Sequence, residues 1–263
     1  MSNWLHDLPL AWLALVVFGV TFLVSAAIYA TVRVLAKGEV ARGFKGIAPG
    51  LLSPLGVLFG LLVVFTASEV FTDNQEANAT VNREATGLRA ALVLSESLPR
   101  DQGAHLRAQI DHYIQEVTTR EWPMMAAGTA TLGSTAPYLP RALLSILTAA
   151  PGKEGQQAAQ TVIASSLATA LEARRQRILI SQLQVNLTKW LCIAIQAVCL
   201  LFAIAMMHID NPLAAILAMG FFATGVGASV LLILAYDRPF TGELAVDPGP
   251  LLQAITGLEA YTR

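Results

Sequence analysis

The chain is short of charged side chains. Asp, Glu, Lys and Arg make up 13% of its 263 residues, whereas soluble domains carry about 25%. Hydrophobic residues make up 55%, so the deficit predicts contact with a lipid bilayer. The formal net charge is −1, which leaves no basic field of the kind that attracts nucleic acid. Nucleic-acid binding is therefore not expected.

Cysteine is almost absent. The two cysteines, Cys192 and Cys199, lie in one apolar run. Seven helical positions separate them by roughly 10 Å, which is beyond disulfide reach within one helix. We interpret them as buried small hydrophobic residues, and pairing with another helix or subunit is the alternative.

Residue groupings that carry catalysis are missing. His105 and His112 are seven positions apart, wider than the four-residue spacing of paired metal ligands on a helix. No Ser/His/Asp or Cys/His grouping, phosphate-binding loop or dinucleotide fingerprint occurs. The sequence predicts no enzyme, no metal site and no cofactor.

Long apolar runs are abundant. A membrane span needs about 20 predominantly apolar residues, and four windows qualify: Leu10–Leu35, Gly50–Val70, Trp190–His208 and Pro212–Tyr236. The first has no Lys or Arg before it and is too long for a signal peptide, so we predict an uncleaved anchor. No span has an ionisable residue in its middle, which argues against proton-coupled or ion-coupled transport.

Residues 72–188 have the apolar periodicity of helices. Val81, Ala85, Leu88 and Leu92 step by four, three and four, with no convincing strand alternation. The second span runs into this block without a breaker, as does the last soluble helix into the third span. We predict an all-α membrane protein in which two long helices extend into a soluble helical bundle. The predicted divisions are 1–71 (spans one and two), 72–188 (soluble domain), 189–236 (spans three and four) and 237–263 (tail).

The second span has a candidate pore stripe. Phe59, Leu62, Thr66 and Glu69 share one helical face. Apolar constrictions can gate by dewetting and acidic rings favour cations, so the stripe predicts a pore with an apolar neck and an acidic mouth. The alternative is ordinary packing, with Glu69 at the membrane surface.

Small residues predict close helix packing. Gly56 and Gly60 in span two, and Ala223 and Gly227 in span four, have the small-xxx-small spacing that lets another helix approach. Gln196, a polar residue at depth in span three, is predicted to form a hydrogen bond between helices.

Arginines cluster before span three at Arg174, Arg175 and Arg177. Salt bridges to Glu76, Glu84 or Glu172 between the two long helices are one interpretation. Contact with anionic lipid headgroups, or attraction of permeant anions, are the others.

Several local motifs are shared with a known family. They include Glu84 on the exit helix, the run Glu121-Trp122-Pro123, the pair Arg174 and Arg177, and the segment Asp237-Arg238-Pro239-Phe240-Thr241-Gly242-Glu243 after span four. In these motifs the chain resembles the bestrophin-like domain family of bacterial membrane proteins over nearly its whole length. The segment containing Pro239, Phe240 and Gly242 is the most specific element. Ser68 stands where the family more often has Trp, and Thr241 where it more often has Ser.

The resemblance implies distant architectural kinship with bestrophins, which are ring-shaped ion channels with four spans per subunit. It implies self-association, as a pentamer by resemblance to bestrophins, and inorganic ions as the permeant species. We expect a passive ion channel with span two lining the pore, and the alternative is a non-conducting scaffold that presents the helical domain to a partner.

Four spans put both termini and the soluble domain on one side of a bacterial plasma (inner) membrane. The basic residues of the loop Arg33–Lys45 favour a cytoplasmic position for this loop, which would place the soluble domain in the periplasm. Resemblance to bestrophins favours a cytoplasmic soluble domain instead. The sequence therefore leaves both orientations of the chain open.

Overall fold

A computed structural model describes residues 8–35, 39–134, 137–150 and 154–259, without side-chain detail at 39–49, 154 and 256–259. Within these ranges the chain is helical, with turns and no strand. The helices are α1 (Leu10–Leu35), α2 (Glu39–Leu94), α3 (Arg100–Glu116), α4 (Trp122–Ala126), α5 (Tyr138–Leu147), α6 (Glu154–Ile180), α7 (Leu187–Met207), α8 (Pro212–Tyr236) and α9 (Gly249–Glu259). A 3₁₀ turn (Ser95–Ser97) follows α2, and a π-helical turn (Val117–Glu121) joins α3 to α4.

Four helices are long and apolar enough to cross a membrane: Leu10–Leu35, Gly50–Ser97, Leu187–Met207 and Pro212–Tyr236. The predicted bounds of the first and fourth spans agree with these. The second helix begins earlier than predicted, at Glu39, so the predicted loop Arg33–Lys45 is helical from residue 39 onward. The rest of that loop, at 36–38, and its basic side chains beyond Arg33 lie outside the described residues.

The predicted continuous passage from the last soluble helix into span three is wrong. α6 ends at Ile180 and α7 begins at Leu187. Asn186 caps α7, because its side-chain oxygen accepts a hydrogen bond from the N–H of Thr188 at 3.1 Å. An Asn side chain that satisfies the first free N–H groups favours a helix start at this point. Of the two long helices predicted to connect a span with the soluble domain, only α2 is therefore continuous.

The chain folds as two compact units. Unit 1 comprises Met1–Thr72 and Gln184–Asp237, and unit 2 comprises Asp73–Leu183 and Arg238–Arg263. The division falls inside α2, so this one helix contributes to both units.

In unit 1, α1, α7 and α8 pack against one another, and the first part of α2 adds Phe59 and Val70 to a cluster with residues of α7 and α8. α1 and α8 approach closely at Gly227, where an added Cβ would lie 2.7 Å from the ring of Phe18. The absence of a side chain at this position therefore admits an aromatic ring.

In unit 2, the second part of α2 packs with α3, α5, α6 and the tail around one apolar core. α2 and α6 approach closely at Gly87, where an added Cβ would lie 2.7 Å from the backbone oxygen of Ser166. Phe240, Val246 and Leu251 of the tail are buried in the same core. The tail therefore completes the packing of unit 2.

Proline lies at two helix ends in unit 2. α3 begins at Arg100, directly after Pro99. At its other end the helical path continues through the π-helical turn into α4, which contains Pro123. Pro123 is tolerated because it occupies the first turn of α4, where its missing N–H needs no partner. Gly128, with φ 69°, follows the end of α4.

Candidate functional site

Unit 2 contains a buried cluster of four charged side chains. Glu84 comes from α2, Glu121 from the end of the π-helical turn, and Arg174 and Arg177 from successive positions on one face of α6. Arg177 Nε donates to Glu84 Oε2 at 2.7 Å, and its Nη2 donates to Glu84 Oε1 at 3.1 Å and to Glu121 Oε1 at 2.9 Å. Arg174 Nη2 donates to Glu121 Oε2 at 2.6 Å. Two carboxylates and two guanidinium groups therefore form a cluster with no net charge.

Arg177 is enclosed on every side. Its side chain is 0% exposed, its Cζ lies 4.9 Å from the centre of the Trp122 ring, and its Nη1 is 3.1 Å from Met125 Sδ. An aromatic face attracts a guanidinium group, and the attraction is stronger where water is excluded. The site is thus built to hold an arginine in one place, since a buried guanidinium without partners is very costly.

Tyr113 of α3 closes the cluster, because its hydroxyl donates to Glu84 Oε1 at 2.5 Å. Burial raises the pKa of Tyr113 well above its ordinary value, and the adjacent Glu84 carboxylate raises it further. Burial by itself lowers the pKa of Arg177, but the charges of Glu84, Tyr113 and Glu121 and the hydrogen bond to Glu84 together outweigh burial, so the net shift is upward. The pKa of Arg174 is also raised, because its bonds to Glu121 outweigh the effect of burial.

The tail segment packs beside this cluster. The Phe240 ring meets the Trp122 ring edge-on with centres 5.5 Å apart, and Trp122 Nε1 donates to the backbone oxygen of Val246 at 3.3 Å. The backbone N–H of Val246 in turn donates to the oxygen of Pro239 at 2.8 Å. Gly242 has φ 88°, a left-handed conformation that favours glycine.

The structure therefore brings together most of the motif residues that the sequence singled out. Glu84, Glu121, Trp122, Arg174, Arg177, Pro239, Phe240 and Gly242 all lie in unit 2, around one buried ion cluster. Of the predicted partners of the arginines, Glu84 is correct. Glu76 instead accepts a hydrogen bond from Gln176 Nε2 at 2.6 Å, and the sequence interpretation missed Glu121 as the carboxylate shared by both arginines.

All four charges of the cluster are paired with one another, and these ion pairs connect α2, the π-helical turn and α6. Among the described residues no three His, Cys, Asp or Glu side chains lie close enough to hold a metal ion.

The predicted pore stripe of α2 does not lie on one exposed face. Phe59 is 8% exposed and its ring centre is 5.8 Å from that of Phe222 in α8. Thr66 is 2% exposed and its hydroxyl donates to the Leu62 backbone oxygen at 2.9 Å. Leu62 is partly buried against the same cluster. Phe59 and Thr66 thus face the other helices of their own chain, and their predicted role in lining a pore stays a prediction.

Glu69 differs from the rest of the stripe because it is about half exposed and forms an ion pair with Lys189 of α7. The sequence interpretation did not anticipate this partner, which is 120 residues away. The carboxylate predicted for the acidic mouth of a pore is therefore paired with a lysine.

The opposite face of α2 in unit 1 is exposed. Leu58, Leu61 and Phe65 lie on it at spacings of three and four, and Ser68 and Thr72 continue the spacing towards the end of the unit. This exposed stripe is apolar over its first part and carries hydroxyl groups over its last part.

The small residues predicted for helix packing fall into two groups. Ala223 is fully buried, and Gly227 admits the Phe18 ring. An added Cβ at Gly56 or Gly60 would meet nothing within 4 Å in the described chain. The role of these two glycines of α2 in helix packing therefore stays a prediction. Similarly, Gln196 Oε1 is buried and has no hydrogen-bond partner among the described residues.

A family model described as the Bestrophin-like domain matches residues 9–251. The match includes all four spans, the buried ion cluster and the tail segment that packs on it. No curated protein and no solved structure matches the chain.

Proposed function

Because the chain belongs to the Bestrophin-like domain family, we propose that it is a passive ion channel of the plasma (inner) membrane. The family is related to bestrophin ion channels. In this proposal several copies of the chain, five by resemblance to bestrophins, surround a pore that α2 lines. The permeant species are inorganic ions.

The observation that carries the proposal is the exposed stripe of α2. Leu58, Leu61 and Phe65 are 54%, 48% and 69% exposed, while the opposite face of the helix packs on α7 and α8. An arrangement of copies around an axis would turn this stripe inward. The apolar part would then form a constriction that gates by dewetting, and Ser68 and Thr72 would form a hydrated section beyond it.

The composition of the spans favours passive conduction. Coupled transporters place ionisable residues at depth in the membrane, whereas the middle of each span here has none. An ion passing through such a pore would meet side chains that bind no proton.

Selectivity in this proposal depends on the pair of Glu69 and Lys189. The lysine offsets the field of the carboxylate, because the two charges form an ion pair. Glu69→Gln would leave an unpaired cation at the mouth and shift the preference towards anions. Lys189→Met would leave an unpaired carboxylate and shift it towards cations.

The test is ion flux in liposomes that contain the purified protein under a salt gradient. Phe65→Ala should raise flux, because it widens the apolar constriction. Phe22→Ala is the matched control, since Phe22 is an exposed phenylalanine of α1, and it should leave flux unchanged. The reversal potential measured with Glu69→Gln and Lys189→Met reports the selectivity.

Wild-type protein that gives no flux across several salts and pH values would contradict the channel proposal. If the wild type conducts and Phe59→Ala raises flux while Phe65→Ala does not, the buried face would line the pore and the assignment of the exposed stripe would be wrong.

A second candidate function, a scaffold that presents unit 2 to a partner, is favoured by the surface of α6. Residues 155–171 of this helix contain no charged residue, yet Ala158, Thr161, Val162, Ser165 and Thr169 are exposed. Exposed helices of soluble domains usually carry charges on this side. Cross-linking in cells followed by purification tests it: recovery of the chain alone would count against this function.

A further inference from the structure

Unit 1 contains a polar pocket at the start of α7. The pocket has a volume of about 420 Å³ and is lined by Gln184, Val185, Asn186, Leu187, Trp190 and Asp237. These residues come from the segment before α7, from its first turn, and from the residue that follows α8. Because both helices are membrane spans by length and composition, the pocket lies at the depth of lipid headgroups.

An apolar groove lies between α1, α7 and α8 in the same unit. It has a volume of about 250 Å³, and its wall includes Val20 and Val24 of α1, Ala194 and Ala197 of α7, and Val230 of α8. The small side chains of the two alanines leave the groove open along one face of α7. The groove can therefore accommodate an apolar group within the membrane-spanning part of the chain.

The groove is about as long as one leaflet of the bilayer. Its residues on α7 extend from Trp190 to Leu201, a rise of roughly 16 Å at 1.5 Å per residue. This is about half of the roughly 30 Å hydrocarbon core. A single acyl chain that begins at the membrane surface would therefore fit the groove along its length.

Trp190 lines both the polar pocket and the apolar groove, so the two cavities are neighbours that share this residue. Tryptophan favours this depth because its ring is apolar and its N–H is polar. The Nε1 atom of Trp190 is buried and has no hydrogen-bond partner among the described residues. An unmet buried donor is costly, and an ester or phosphate oxygen of a lipid is the kind of acceptor that this position lacks.

Asp237 gives the polar pocket its charge. It is 6% exposed, and its Oδ1 accepts the backbone N–H of Val185 at 2.6 Å. A carboxylate has about four lone-pair sites, so the group can accept donors from the protein and from a ligand at the same time. A buried carboxylate is stabilised by a cation that also donates hydrogen bonds.

We propose that the pocket and the groove together form a binding site for one phospholipid with a primary ammonium headgroup, such as phosphatidylethanolamine. The ammonium group binds at Asp237 in the polar pocket, and one acyl chain occupies the groove along α7. Phosphatidylcholine, whose headgroup nitrogen has no N–H, fits the groove but cannot donate to Asp237. The proposal does not depend on whether the protein conducts ions.

The test is native mass spectrometry of the delipidated full-length protein in detergent. The protein is mixed with equal amounts of phosphatidylethanolamine and phosphatidylcholine that have identical acyl chains. Wild-type protein should retain one lipid per chain and should favour the ethanolamine lipid several-fold. Equal retention of the two lipids, or a preference for added phosphatidylglycerol, would overturn the proposed headgroup chemistry.

Three variants locate the site. Asp237→Asn keeps an oxygen for the N–H of Val185 and should abolish the headgroup preference while total retention stays similar. Ala194→Phe fills the groove and should reduce retention of both lipids several-fold. Ile195→Phe is the matched control, because Ile195 is exposed on the same turn of α7 but does not line the groove, and it should behave as wild type.

The outcomes are separable even if one variant does not fold. A headgroup preference that survives Asp237→Asn places the ammonium group elsewhere, and equal retention by Ala194→Phe and Ile195→Phe shows that the groove holds no chain. If Asp237→Asn is unstable, the lipid competition on wild type and the phenylalanine pair still decide the proposal.

Discussion

Two ion pairs in this protein have the same chemistry and opposite surroundings. In unit 2, the side chains of Arg177 and Glu84 are both 0% exposed, whereas in unit 1 those of Lys189 and Glu69 are 37% and 49% exposed. Breaking a buried pair leaves an uncompensated charge without water and costs about 3–5 kcal/mol. An exposed pair contributes about 0–1 kcal/mol, because water solvates either partner alone. Burial, more than the attraction between the charges, therefore decides what each pair does for the fold.

The largest effect is expected for Arg177→Met, which leaves the carboxylates of Glu84 and Glu121 buried with fewer donors. The free energy of unfolding should fall by about 3–5 kcal/mol, measured by thermal or denaturant unfolding in detergent. Arg175→Met is the matched control, because Arg175 is exposed on the same helix and should change stability by less than about 0.5 kcal/mol. Equal losses in the two variants would contradict the role of burial.

A second measurement tests whether the loss comes from the charge left behind. Adding Glu84→Gln to Arg177→Met removes one of the stranded carboxylates, so the double variant should be less destabilised than the sum of the two single variants. Strict additivity would show that the two residues do not act as one network.

Tyr113→Phe should cost about 1.5–3 kcal/mol, because it removes a hydrogen bond donated to a carboxylate. Its pH dependence is diagnostic, since burial and Glu84 raise the pKa of Tyr113 in the folded state. Unfolded protein releases this proton above about pH 10, while folded protein keeps it. Wild-type stability should therefore fall as the pH rises above about 10, and the fall should be shallower in Tyr113→Phe. Parallel pH profiles for the two proteins would contradict the raised pKa.

Gly227→Ala tests packing in unit 1, where no charge is involved. The new Cβ would lie 2.7 Å from the Phe18 ring, so overpacking should cost about 1–3 kcal/mol. Gly225→Ala is the control, because an added Cβ there meets nothing within 4 Å, and it should not destabilise the unit. Recovery of stability when Phe18→Leu is added to Gly227→Ala would confirm the contact.

The smallest effect is expected for Lys189→Met. Because both partners are substantially exposed, the free energy of unfolding should change by less than about 1 kcal/mol, and the change should shrink further in high salt. A loss comparable with that of Arg177→Met would show that Lys189 and Glu69 are enclosed in the assembled protein.

The sequence was sufficient for the helical class and for the spans, because long apolar runs leave few alternatives. The sequence did not determine which face of α2 packs against α7 and α8. Helical spacing shows that Phe59 and Thr66 share a face, but only the packing of the chain shows that this face lies against other helices of unit 1. Residues 181–186 contain no proline or glycine that would indicate a break, and only the cap at Asn186 marks the start of α7.

The ion cluster shows a second limit of the same kind. Arg174 and Arg177 are close in sequence and charged alike, and salt bridges to glutamates of the two long helices are one interpretation of this cluster. Their common partner Glu121 is 53 and 56 positions away, and no local pattern connects it to α6. The motif residues could be found from the family resemblance, but the contacts among them depend on how α2, α4 and α6 pack.

The tail has a consequence for the order of assembly. Its buried residues Phe240, Val246, Leu251 and Ala254 belong to the core of unit 2, but they follow the last membrane span in the chain. The ribosome makes Asp73–Leu183 before α7 and α8, and it makes the segment that completes this core only after both spans. Unit 2 therefore cannot finish folding as it is synthesised, and its final packing waits until all four spans have been made.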